Sequence, residues 1–345
     1  MTRRFKWGLL GTGAIARTFA TALRECNTGE LAAIGSRSME AAERFARDFP
    51  ATVHGTYEEL LANPEVDVVY ISTPHPMHAE WAIKAAEAGK HVLCEKPLTL
   101  NHAEAVAVID AARANDVFLM EAFMYRCHPQ TERLIELIRE GAIGEVRLIQ
   151  ATFSFLAGWN LESRLLNNRL GGGGILDVGC YCTSMARLIA GAVSGQPFLD
   201  PDELKAVGQI GGESRVDEFA VASLKFPNGV LAQLATGVRL SLESFVRISG
   251  EDGNILVPSP WVIGRQPGEA KLIVTRDGRS EEIVINETRS PFAIEADTVG
   301  HYIHAKQSPK MSWADSLGNM KTLDRWREQI GLIYDSEKMA ELPNQ

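Results

Sequence analysis

The feature that most constrains this chain stands at its start: an apolar run, Trp7 to Leu10, passes straight into Gly11-Thr12-Gly13-Ala14-Ile15-Ala16, and a helical pattern follows. A tight strand-to-helix turn needs glycine at its first position. Close approach of backbone amides to an anion needs glycine at its third, and close packing of helix on strand needs a small residue at its sixth. The helix that starts there turns unpaired N–H groups and the positive end of its dipole toward the turn. Gly11, Thr12, Gly13, Ala14 and Ile15 are therefore candidate contacts for the pyrophosphate of a dinucleotide.

The texture that follows agrees with such a turn. Short apolar runs at Trp7 to Leu10, Leu31 to Ile34, Val68 to Ser72, His91 to Cys94 and Val117 to Met120 alternate with helix-favouring stretches such as Ala79 to Ala88 and Ala103 to Ala114. Repeated βαβ units of this kind predict a Rossmann domain over residues 1–123, a doubly wound parallel sheet. Just past the second strand, roughly 20 residues beyond the turn, the position that reads the adenosine ribose falls in Gly35-Ser36-Arg37-Ser38, with no acid between residues 31 and 39. A carboxylate would accept from a ribose 2′-hydroxyl, whereas the Ser36 hydroxyl and Arg37 guanidinium suit a 2′-phosphate, so NADP is expected ahead of NAD. Alone, Arg37 also reads as a solvated loop arginine.

A chain of 345 residues is too long for one ordinary core, and residues 124–345 change in character. A helical stretch, Gln130 to Glu140, precedes a strand from Glu145 to Phe155. Two hairpins are then signalled, by Pro227-Asn228-Gly229 between Phe219 to Phe226 and Val230 to Thr236, and by Asp277-Gly278 between Lys271 to Thr275 and Glu282 to Ile285. The second domain is expected to be α+β, a large, mostly antiparallel open sheet with helices on one face. A closing helix over about 312–334, with Ser312 placed to cap Asp315, is expected to pack back on the body.

The net charge of −9 and the lack of a Lys/Arg run argue against nucleic acid. No stretch approaches the roughly 20 apolar residues that span a bilayer, and the N-terminus lacks the pattern of a cleaved leader, so the cytoplasm is expected. The cysteines, Cys26, Cys94, Cys127, Cys180 and Cys182, are odd in number and scattered; they read as structural thiols, with no metal site expected.

Two further segments carry chemistry. His91-Val92-Leu93-Cys94-Glu95-Lys96-Pro97 ends a strand at the sheet edge where ligands of open parallel sheets bind, which makes Lys96 a candidate for catalysis and Glu95 a neighbour of the site. Gly171 to Gly174 leads through Ile175-Leu176-Asp177-Val178-Gly179-Cys180-Tyr181 into a helix that ends near Gly191; Asp177 and Tyr181, four apart, are expected on one face. A phenol is a poor acid or base at its reference pKa of about 10, and a neighbouring ammonium brings that value down. Alone, Tyr181 reads as a packing aromatic and Asp177 as a helix cap; beside Lys96 they make a catalytic set.

Gly11-x-Gly13-x-x-Ala16, Glu95-Lys96-Pro97 and Gly172-Gly173-Gly174-Ile175-Leu176-Asp177-Val178-Gly179-Cys180-Tyr181, in this order, resemble the glucose-fructose oxidoreductase and inositol dehydrogenase family over nearly the whole chain. Many relatives place His where this chain has Tyr181. Tyr there, together with Met120 to Pro129, is similar to the branch of dimeric dihydrodiol dehydrogenase and NADP-dependent D-xylose dehydrogenase. The resemblance implies an NADP-dependent oxidoreductase acting on a sugar or polyol, with Tyr181 as acid/base, Lys96 assisting and Asp177 beside them. It implies that Thr73, Pro74, His75 and His78 form the nicotinamide-side loop, where His75 replaces a common Asn. Arg126, Phe155, Trp159, Asn160 and Arg164 are candidates for the sugar subsite, polar groups against aromatic faces. The rival readings are a non-catalytic, dinucleotide-sensing regulator and a dehydrogenase of dihydrodiols. A homo-oligomer, dimer or tetramer, is expected from the exposed face of the second sheet.

Overall fold

The computed structural model describes residues 4–261, 263 and 270–340. Strands β1 (Phe5–Leu10), β2 (Gly29–Gly35), β3 (Thr52–His54), β4 (Val68–Ile71), β5 (His91–Glu95) and β6 (Leu119–Ala122) form one sheet in the order β3-β2-β1-β4-β5-β6. Every pair is parallel. The inner strands carry apolar runs that are buried on both faces: Leu9, Leu10, Val68 to Ile71, Val92 and Leu93 are fully buried, and the charged residues Lys6, Glu30, His91 and Glu95 sit toward the strand ends. The order reverses between β1 and β4, the place where such sheets leave a crevice beyond their strand ends. The expected Rossmann sheet is thus present. It holds one strand more than the sequence signals, β3, whose three residues pair on one side only.

The second sheet contains β7 (Val146–Ser154), β8 (Glu203–Ile210), β9 (Asp217–Lys225), β10 (Leu231–Gly237), β11 (Phe245–Gly250), β12 (Gly253–Val257), β13 (Lys271–Arg276) and β14 (Arg279–Val284). Their order is β14-β13-β12-β11-β7-β10-β9-β8, and only β7 and β10 run parallel. Both signalled hairpins form. Gly229 takes φ +85°, and Asp277 and Gly278 take +49° and +72°, the left-handed geometry that matches strand twist. On β9, Ala220, Ala222 and Leu224 are buried while Phe219 and Val221 stand out in the open, so one face is covered and the other bare. The helices Pro129–Arg139 and Cys180–Val193 pack together, and the second also packs on β7 and β10. Strands β8, β11 and β12 are not signalled. On β8 only Leu204 is fully buried, so its alternation is weak, and the other two are short.

The chain divides into two compact units: residues up to His128 with Arg289–Leu317, and Pro129–Thr288 with the residues from Gly318. Sequence reading sets a single boundary after residue 123, which assigns the segment Arg289–Leu317 to the second domain. Its tie to the first unit is the buried Asp297 carboxylate, which accepts the amides of Asn27 at 2.8 Å and Thr28 at 2.9 Å and the Thr28 hydroxyl at 3.0 Å. The last long helix is Trp313–Ile330, with the Ser312 hydroxyl accepting the Asp315 amide at 3.3 Å, the signalled cap. All five cysteines are buried, and none is in a disulfide. Among the described residues no helix is long and apolar enough to cross a membrane.

Candidate functional site

At the carboxyl end of β1, Gly11 takes φ +111°, its N–H donates to Gly35 O at 3.0 Å, and a Cβ would lie 2.8 Å from the Ser72 hydroxyl. Geometry and crowding both require glycine there. Gly13 is different. Its φ is an ordinary −76°, and a Cβ built on it would meet no atom within 4 Å. The fold has no need of glycine at 13, so the room in front of it is kept for a group outside the chain. Gly13 also begins the helix Ala14–Ala22 without a side-chain cap, leaving first-turn amides to an incoming anion. Gly13 and Ala14 are exposed, Thr12 and Ile15 half-buried, while Ala16 and Phe19 seat the helix on the sheet.

The other strand ends bring further predicted residues to this edge. After β2, Ser36 is buried and its hydroxyl accepts the Ser38 amide at 3.3 Å. Arg37 is exposed and reaches the Tyr57 hydroxyl; burial pushes that phenol up and the guanidinium opposes the shift. After β4, Thr73 is buried and, among the described residues, its hydroxyl oxygen has no hydrogen-bond partner, a polar group set aside for a ligand. Pro74 and His75 begin a short 3₁₀ turn, and the His75 ring stands edge-on to His78 at 5.7 Å. After β5, Glu95 is buried; it accepts from the Tyr70 hydroxyl and, at 3.2 Å, from the Lys96 amide. Lys96 is half-buried and its bond to Pro97 is cis. The spare room at Gly13, the uncapped helix and the orphaned Thr73 hydroxyl fit a dinucleotide.

The second unit assembles the other predicted group. Gly171–Gly174 does not lead into a plain helix, as the sequence suggests, but into one wide π-helical turn, Ile175–Gly179, before the helix Cys180–Val193. The turn wraps the carboxylate of Asp217 on β9, which is fully buried and accepts the Ile175 amide at 2.6 Å. Burial pushes Asp217 up to about 7. Asp177, 3% exposed, accepts from Arg164 at 2.6 Å, so two predicted residues meet as an ion pair. Tyr181, 7% exposed, stands edge to face against Phe153 at 5.3 Å and Trp261 at 5.8 Å, two rings that stack on each other at 5.7 Å. Trp261 is fixed by its indole N–H on Thr152 O at 2.8 Å. Sequence reading misses Phe153, Trp261 and Asp217. Phe153 lies inside a signalled strand but carries no mark of its role, and Asp217 shows its role only once the glycine run is seen to fold around it.

The candidates for the sugar subsite are drawn from both units. Arg126 is buried in the first unit, where its guanidinium pairs with Asp315 and donates to Lys310 O at 3.0 Å. A guanidinium buried in this way is held by the partners it was buried with. Phe155 is half-buried at the end of the β7 segment. Trp159 is half exposed under the Arg239 guanidinium, and Asn160 is exposed, its side chain accepting the Glu162 amide at 3.0 Å.

Comparison with known proteins gives a consistent picture. Residues 5–123 match the model of the oxidoreductase family with an NAD-binding Rossmann fold, and residues 131–256 match the GFO/IDH/MocA C-terminal domain. Trans-1,2-dihydrobenzene-1,2-diol dehydrogenase of Danio rerio is 34% identical over 96% of this chain and 98% of its own length. D-xylose 1-dehydrogenase (NADP(+)) 2 of Haloferax volcanii is 33% identical over 92% and 95%. Among solved structures, a 3-ketoreductase from Actinomadura kijaniata in complex with NADP and TDP-benzene superposes with TM-score 0.84 at 28% identity, covering 95% of this chain and 98% of that one.

Proposed function

Since the chain belongs to the GFO/IDH/MocA oxidoreductase family, we propose that it is an NADP-dependent dehydrogenase or carbonyl reductase of sugar- or polyol-like substrates, with Tyr181 and Lys96 at the reacting oxygen. The observation that carries the reading is Tyr181 itself, an ionisable group set edge-on against the stacked rings of Phe153 and Trp261, in a chain that also pairs Asp177 with Arg164 and keeps a bare dinucleotide turn. When bound, the nicotinamide supplies the hydride acceptor or donor. The Tyr181 phenol oxygen takes the substrate hydroxyl proton as hydride leaves the same carbon, and the Lys96 ammonium stabilises the developing alkoxide. In the reducing direction Tyr181 returns that proton to the oxygen.

Gly11 to Ile15, Ser36, Arg37, Thr73 to His75, Glu95 and Lys96 form the cofactor side of the proposal. NADP is favoured over NAD by the exposed Arg37 and by the named cofactors of the Haloferax and Actinomadura proteins. Phe155, Trp159, Asn160 and Arg164 are the subsite candidates that lie within one unit. The second reading is a dihydrodiol substrate, favoured by the aromatic surroundings of Tyr181 and by the dihydrodiol dehydrogenase relatives. A cytoplasmic homo-oligomer is part of the proposal, supported by five buried cysteines outside any disulfide and by Val207, Phe219, Val221 and Leu231 exposed on one sheet face. The test is a panel of aldoses, polyols and trans-dihydrodiols with NADP+ and NAD+, read by nicotinamide absorbance. Turnover of an aldose or polyol with NADP+ supports the reading; turnover of dihydrodiols alone gives the second, and binding without turnover gives a regulator.

A further inference from the structure

His78 opens the helix His78–Glu87 and is fully buried. Its Nε2 lies 2.8 Å from the carbonyl oxygen of Thr73, and its Nδ1 lies 2.9 Å from the carbonyl oxygen of Pro97. A backbone carbonyl only accepts, so each ring nitrogen must donate to make these contacts hydrogen bonds. Neutral imidazole has one N–H. In either tautomer the second nitrogen would turn its lone pair on a carbonyl oxygen, in a place that water does not reach.

We propose that His78 is a buried, doubly protonated imidazolium that ties the loop after β4 to the loop after β5 and thereby positions Lys96. The sequence reading counts His78 among groups that touch the cofactor. Its burial and its two carbonyl contacts instead give it a place beneath the site. The segment it holds is gripped residue by residue: the Lys96 amide donates to Glu95 at 3.2 Å, Pro97 O accepts from His78, and the Leu98 amide donates to Glu121 at 2.8 Å. The charged and titratable groups on the elements around it are His75 on its own loop, Glu80, Lys84 and Glu87 on its own helix, Tyr70 on β4, His91, Glu95 and Lys96 on and after β5, Glu121 on β6, and His102, Glu104, Asp110 and Arg113 on the helix His102–Ala114. Glu95 and Glu121 lie close enough to act together on the Cys94 thiol, which burial first and then these carboxylates hold in its protonated form. The same two carboxylates hold the amides on either side of the Pro97 carbonyl that His78 contacts.

The charge state stands apart from the proposed function, and the positioning of Lys96 rests on it. The test is a long-range ¹H–¹⁵N spectrum of the full chain labelled with ¹⁵N-histidine, with and without NADP+, from about pH 6 to about pH 9. His78 is assigned by His78→Gln, or, where that variant does not fold, by the shift that His75→Gln causes in the neighbouring ring. Both nitrogens of His78 are expected to show protonated shifts throughout the range; an unprotonated nitrogen at neutral pH overturns the proposal. His78→Gln, if folded, is expected to lower kcat about tenfold or more with little change in the NADPH Kd measured by fluorescence, because a small misplacement of a reacting group is amplified in rate. An unchanged kcat overturns the positioning role. Full activity after Lys96→Met would sink the function proposed above and leave the ring signals as they are.

Discussion

The Asp217 carboxylate accepts the Ile175 amide at 2.6 Å, and a Cβ on Gly173, whose φ is +108°, would collide with its other oxygen. The glycine run and the buried acid therefore make one object: Gly173 must be glycine because its left-handed backbone lies against a carboxylate from β9, while Gly172 and Gly174 are crowded by the backbone of Arg164, Leu165 and Gly237. That object sets the start of the helix that carries Tyr181.

Burial raises Asp217 from its ordinary 3.8 to about 7. A carboxyl whose value is higher in the folded chain contributes stability that is fully present below about pH 4 and is lost as pH rises through about 7. Between about pH 5 and about pH 8 the loss amounts to about 2–3 kcal/mol, because each tenfold difference in proton affinity between the folded and unfolded chain is worth about 1.4 kcal/mol. Asp217→Asn keeps an acceptor for Ile175 and removes the titration. Urea unfolding across this range is expected to show the slope in the natural chain and a flatter profile in the variant; equal slopes would assign the dependence to other groups.

Gly13→Ala and Gly11→Ala separate cofactor space from backbone need. A methyl at 13 meets nothing in the chain, so the melting temperature is expected to stay within about 2 °C while NADP(H) affinity falls tenfold or more, about 1.4 kcal/mol. At 11 the positive φ and the nearby Ser72 hydroxyl are expected to lower both. Fluorescence titration and thermal melts of the two variants check this directly.

Arg126 and Asp315 are each 3% exposed in their side chains and are bound to each other. Removing one partner of such a pair leaves a buried charge without its counterion, so Arg126→Ala is expected to cost about 3–5 kcal/mol of stability. The substrate KM of the fraction that folds is expected to be near that of the natural enzyme. A raised KM with unchanged stability would restore Arg126 to the substrate subsite.

Arg37→Ala is expected to raise the KM for NADP+ at least tenfold, a loss of about 1.4 kcal/mol, and to leave the KM for NAD+ nearly unchanged. Steady-state kinetics with both cofactors decide it. Equal effects on the two would place the arginine away from the 2′-phosphate.

The Rossmann half was legible because its signals are local. A strand, a glycine turn and a helix follow one another within Trp7 to Ala22, and the apolar runs Val68 to Ile71 of β4 and Val92 to Cys94 of β5 mark buried strands. The second sheet was legible where turns spoke for it, at Asn228-Gly229 and Asp277-Gly278, and silent at β8, β11 and β12: β8 pairs with β9 and β11 with β12, each next to it in sequence, but β8 alternates weakly, the other two are short, and β11 also pairs with the distant β7. The same limit explains the sites. Lys96, Asp177 and Tyr181 sit in marked motifs. Trp261 beside Tyr181 and Asp217 inside the glycine turn become visible only when the chain has folded. Arg126 shows the same limit: its motif is suggestive, but its partner Asp315 lies 189 positions away.

The most direct measurement is single-turnover hydride transfer, followed at the nicotinamide absorbance with NADP+ and the best aldose or polyol of the panel, for Tyr181→Phe and Lys96→Met beside the natural enzyme. The account predicts that Tyr181→Phe slows the step by about 100-fold or more while the NADPH Kd stays within about twofold, and that Lys96→Met is slower too. A Tyr181→Phe enzyme that transfers hydride at the natural rate would contradict it.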